Sequence, residues 1–194
     1  MKLETYIAVG SVFGACLLFR HALEADPVTH VLLQMPLLAW CGAALSPSIA
    51  GLDANWNRHG IPLLLVAGFS TAFWMLPKSV DLAVASPAFA VAKYISLPVL
   101  IGAPLPLGWA RALPLLKGFL KAQCISMLGV LAFLYTHTPV RICNVYLVDD
   151  QVRLGAGFIA AAAVLTLIWV IPLFEPRPNR TRAPLFASDS RRHS

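Results

Sequence analysis

Charge is what this chain has least of. Lysine, arginine, aspartate and glutamate make up 12% of its 194 residues, against roughly 25% in soluble domains. Hydrophobic residues make up 58%, and the mean hydropathy is +0.73. So few polar side chains cannot cover a folded surface against water. A soluble globular domain is excluded, and one integral membrane domain is expected.

Patterns that carry chemistry are missing too. The four cysteines, Cys16, Cys41, Cys124 and Cys143, include no C-x-x-C pair. That argues against a structural zinc site or a thioredoxin-like centre. The first three fall in apolar runs and read as small buried hydrophobes. There is no nucleophile elbow, phosphate loop, H-E-x-x-H or paired-carboxylate pattern, so no catalytic residue is assigned and no enzyme is expected. The net charge of +6 sits largely in the tail, at Arg177, Arg180, Arg182, Arg191 and Arg192. With neither interleaved aromatics nor a folded scaffold, this is not a nucleic-acid binder. Beside a membrane span it suits an anionic lipid leaflet.

What is present is a series of apolar runs. About 20 apolar residues cross a bilayer, and six runs qualify: 5–19, 28–50, 61–76, 82–107, 115–135 and 154–174. The expected fold is an all-α polytopic membrane helix bundle over 1–176, with a basic, disordered cytoplasmic tail over 177–194. The third run is short. The fourth holds Pro98, Pro104 and Pro106, so its second half is expected to kink or to end early at the interface. Pro114 suits the first turn of the fifth run. The first run also fits a signal peptide, but Glu4 offsets Lys2 and Leu23-Glu24-Ala25 is a poor cleavage site. A retained span is the expectation. Positive-inside counting then places both termini in the cytoplasm, with the tail arginines deciding.

In that orientation the unusual polar residues collect in the outer half. His30 and Gln34 lie near the outer end of the second run. Trp74 and Met75 end the third, and Asp81 opens the fourth. Asp149, Asp150 and Gln151 precede the sixth. Residues 73–97 read as a tight hairpin between two spans, with Lys93 about 16 Å below its outer end at 1.5 Å per residue. A lysine at that depth is costly. It snorkels, pairs with Asp81, Asp149 or Asp150, or binds an anionic headgroup or carboxylate; structural pairing is the expectation. His30, Gln34 and Cys41 share a helical face through spacings of four and seven. They read either as interhelical contacts or as a polar seam. For a metal, the imidazole of His30 and the soft sulfurs of Met75, Met35 and Cys41 are the candidate ligands. Lys93 and the proline-broken fourth run would also serve a small transporter. No internal repeat supports that reading.

Several of these stretches form a pattern. His30 and Gln34 stand where an H-x-x-x-H helix start would place two histidines. Trp74-Met75-Leu76-Pro77 with Asp81 matches W-H-L-P followed by an aspartate. Ser86-Pro87 is followed by Lys93-Tyr94 where a Glu-His pair is usual. Asp150-Gln151-Val152-Arg153-Leu154-Gly155-Ala156 follows D-Q-x-x-L-G-G. Over roughly 27–169 the chain resembles the multi-spanning CtaG family of cytochrome c oxidase assembly factors, distinct from the single-span copper chaperone that shares the name. The resemblance implies a bacterial cytoplasmic (inner) membrane protein that serves assembly of a copper-containing oxidase. Its implied partners are terminal oxidase subunits or another copper-handling membrane protein, and its implied cofactor is cuprous copper handled at the outer face. Against that pattern, Gln34, Met75 and Tyr94 stand where relatives carry histidine, and Lys93 stands where they carry an acid. Met75 could replace a histidine toward cuprous copper, since thioethers suit that ion. Lys93 opposes a bound cation. The alternative implication is therefore a scaffold that binds a partner protein without metal, Gln34, Trp74, Asp81, Lys93, Tyr94, Asp150 and Gln151 forming its polar seam.

Overall fold

The computed structural model describes residues 3–49, 55–137 and 146–174. Among them every element is helical. We number the helices α1 (Leu3–Leu18), α2 (Arg20–Ala25), α3 (Pro27–Ser48), α4 (Ile61–Trp74), α5 (Pro77–Ala85), α6 (Pro87–Arg111), α7 (Pro114–His137) and α8 (Val148–Phe174). The helices α3, α6, α7 and most of α8 are long and apolar enough to cross a membrane; α4 and α5 qualify only as a bent pair, and α1 is apolar but shorter. The tail arginines, Cys143 and Arg141 lie outside the described residues.

Prolines set the breaks. A residue before proline is pushed out of the helical region by the ring. Asp26, Leu76 and Ser86 precede Pro27, Pro77 and Pro87, and all three are extended, with ψ of 127°, 131° and 124°. This corrects two expectations. The fourth run does not begin at residue 82: it is cut at Ser86, and its first part becomes α5. The tight hairpin is thus a separate nine-residue helix bent 72° from α4. Nor does the fourth run end early, because α6 continues through Pro98, Pro104 and Pro106 to Arg111.

Pro36 of α3 and Pro104 of α6 are each preceded by a π turn, at His30–Gln34 and Leu97–Gly102. Each closes one residue before a proline. Met35 N–H bonds to the His30 carbonyl, ahead of Pro36, and Ala103 N–H bonds to the Pro98 carbonyl at 2.8 Å, ahead of Pro104. Proline lacks the N–H for the next bond and crowds the carbonyl four residues back; a wider turn relieves both.

Contacts fix the course of the chain. Helix α1 runs antiparallel along α3: Tyr6 meets Ser48 at 3.2 Å, the Cys41 thiol faces the Val9 carbonyl at 3.9 Å, and Gln34 reaches the Cys16 carbonyl at 3.5 Å. Helices α3 and α6 run parallel and touch backbone to backbone. A Cβ on Gly42 would collide with the Pro98 carbonyl, and one on Gly102 with the Ala39 carbonyl. Helix α4 runs antiparallel to α6, Gly60 against Gly108 at one end and Trp74 against Ser96 at the other. Gly60 has φ +72°, a conformation that suits glycine. Helices α7 and α8 form an antiparallel pair that meets α3 through Gly157 and Leu32. One end of the bundle therefore gathers the α1–α3 connection, the α4–α6 connection and the start of α8. The core there includes Cys16, Val31, Met35, Trp74, Tyr94, Tyr135, Tyr146 and Phe158.

Candidate functional site

The polar residues of that end converge on Lys93. It stands six residues into α6, about 9 Å along the axis, and its side chain is 0% exposed. Its Nζ donates to Glu24 Oε1 at 2.7 Å, to Gln34 Oε1 at 3.0 Å and to His30 Nε2 at 3.1 Å. An ammonium has three N–H bonds, and all three are used. The Tyr94 ring also faces it, 5.1 Å from Nζ to the centroid.

The remaining protons follow by donor counting. The Tyr146 hydroxyl donates to the Glu24 backbone carbonyl at 2.9 Å. Its contact with His30 Nδ1, at 3.0 Å, must then be donated by the imidazole. That assigns the proton to Nδ1 and leaves the Nε2 lone pair for Lys93. In the same way the Tyr94 hydroxyl donates to the Cys16 carbonyl at 2.8 Å and accepts from Gln34 Nε2 at 2.9 Å. The amide of Gln34 is thereby oriented with its oxygen on Lys93. Each donor and acceptor supports the next, and the network ties α1, α2, α3, α6 and Tyr146 together. His30 and Gln34, four residues apart at the two ends of the π turn of α3, both reach this one cation.

Lys93 pairs with Glu24, not with Asp81, Asp149 or Asp150. Asp81 is buried on α5. Asp150 accepts from Leu147 N–H at 3.4 Å, capping the start of α8, and faces Arg153 at 3.6 Å. Asp149 is exposed. Gln151 is buried one residue beyond Asp150, outside the Lys93 shell. Trp74 is buried, and its indole N–H donates to Ser96 Oγ at 2.9 Å. Met75 caps α4 and packs on the core.

His30 and Cys41 are not brought together as ligands of one site. His30 and Cys41 are eleven residues apart on α3, roughly 16 Å along the axis. Both ring nitrogens of His30 are engaged, one of them against an ammonium. The Cys41 thiol is directed at the Val9 carbonyl. Among the described residues, no three of His, Cys, Asp and Glu come together as a metal group.

Two network residues were missed from the sequence, Glu24 and Tyr146. Glu24 had a usable signal: a buried lysine needs a counter-charge, and Glu24 is the carboxylate nearest the start of the second apolar run save Asp26. Tyr146 lies between runs and carried none. No family model matches the chain, and neither a curated protein nor a solved structure does.

Proposed function

We propose that this chain is a non-enzymatic accessory protein of a bacterial cytoplasmic membrane that assists assembly of a copper-containing cytochrome c oxidase. It acts as a scaffold, with copper belonging to the client and not to its own polar seam. The observation that carries this reading is the Lys93 ammonium, ringed by Glu24, His30 and Gln34. The stretches that resemble the assembly-factor family meet there: His30 and Gln34 from the first, Lys93 and Tyr94 from the third. The ammonium supplies the positive charge around which these donors are arranged, and a second cation beside it would be repelled. A buried, fully bonded network of this kind holds helices in one register. The antiparallel course of α1 against α3 supports α1 as a pass of its own, and the positive-inside count favours both termini inside, with the site at the outer end.

The test is a deletion strain grown under copper limitation. Oxidase activity should fall and return with the wild-type gene, while the protein migrates on native gels with a larger complex. Normal oxidase activity and membrane copper in the deletion strain would contradict the reading.

A further inference from the structure

The pair α7 and α8 is buried against the bundle only over the half nearest the site, through Leu131, Ala132 and Tyr135 of α7 and Gln151, Leu154 and Phe158 of α8. The opposite face of α7 carries Phe119, Gln123, Ser126, Val130 and Phe133, spaced four, three, four and three. That is the seam period of two helices packed side by side. Phe119, Val130 and Phe133 are 62%, 64% and 66% exposed, and Gln123 and Ser126 are exposed with them. Gly118 and Gly129 border the seam, and a Cβ added at either would meet nothing within 4 Å. Small residues at such a border let helix backbones approach closely.

The apolar members of the seam suit lipid as well as protein, so they decide nothing. Gln123 does. It lies nine residues past Pro114 in a 24-residue candidate span, about 14 Å along the axis. From there its short side chain reaches neither membrane surface. Its amide makes no hydrogen bond among the described residues, and hydrocarbon offers none. A primary amide both donates and accepts. Two copies inserted with the same orientation can pair about an axis along the membrane normal, which sets each residue of a seam opposite itself. Gln123 then faces Gln123, and each amide satisfies the other, with Ser126 one turn along.

We propose that the chain pairs with a second copy of itself within the membrane through this face of α7, the two Gln123 amides bonding across the two-fold axis. This does not depend on the accessory role above. The experiment is single-molecule photobleaching of labelled protein in liposomes over a range of protein-to-lipid ratios. Wild type should form dimers. Gln123→Leu should weaken pairing about tenfold, the effect of interhelical hydrogen bonds lost in lipid, and Gln123→Asn should keep most of it. Thermal unfolding of each variant shows whether it is folded. As a second arm, Ser126→Cys in a Cys124→Ala background should form a disulfide between copies on oxidation, and Val164→Cys on α8 should not. Monomers at every ratio overturn the proposal, as they would if lipid or a different protein covers this face. A dimer indifferent to Gln123→Leu, or cross-linked at Val164→Cys rather than Ser126→Cys, overturns it equally.

Discussion

Removing the Glu24 carboxylate leaves the Lys93 ammonium buried without its counter-charge. A buried pair broken on one side typically loses about 3–5 kcal/mol, whereas replacing both partners with apolar groups is often near neutral. Glu24→Ala should therefore lower stability by about that amount, and Glu24→Ala with Lys93→Met should recover most of the loss. Unfolding of the single and double variants in detergent checks this; equal losses in the two would contradict the pairing. Tyr146 is a gentler probe. Tyr146→Phe keeps the ring but leaves His30 Nδ1–H and the Glu24 carbonyl each one partner short. A buried group left unsatisfied costs about 1–3 kcal/mol, and the same unfolding assay should show a loss in that range.

At the scale of elements, the two prolines that follow the π turns do the positioning. Pro36 should be an unfavourable residue in the middle of α3, by about 3 kcal/mol relative to alanine. Yet the wide turn before it aims His30 and Gln34 at one atom. Pro36→Ala restores the missing N–H and lets the turn tighten, which rotates the start of α3, with His30, relative to the rest of the helix by about 100° for one residue of register. The variant should melt lower than wild type, and the nitrogen NMR signals of His30 should lose the Nδ1–H pattern. A higher melting temperature with unchanged His30 signals would mean that the π turn does not serve the network. The crossing of α3 and α6 is stricter still. Gly42→Ala sets a methyl group against the Pro98 backbone, so the helices must separate, at a cost of about 1–3 kcal/mol for an overpacked contact. That loss should appear as a lower melting temperature.

For the whole molecule, the apolar runs were legible because crossing a bilayer imposes length and composition locally, and four of them hold helices long and apolar enough to cross a membrane. Their ends were less legible, since steric effects of proline outweigh hydropathy: Ser86 cuts the fourth run, and α6 continues past three prolines, with a π turn between the first and the second. The site was half legible. His30, Gln34, Lys93 and Tyr94 stood out as polar groups in apolar sequence, and they do meet. Glu24 is 69 residues from Lys93 and sits outside the runs, so hydropathy gave it no weight, and the three aspartates looked like better partners. The central claim is that the ammonium of Lys93, held by Glu24, His30 and Gln34, is the cation of this seam. Its most direct test is metal analysis of the purified protein after loading with cuprous copper, beside His30→Ala. The expected result is less than stoichiometric copper, unchanged by the substitution. One copper per chain, lost in His30→Ala, would contradict it.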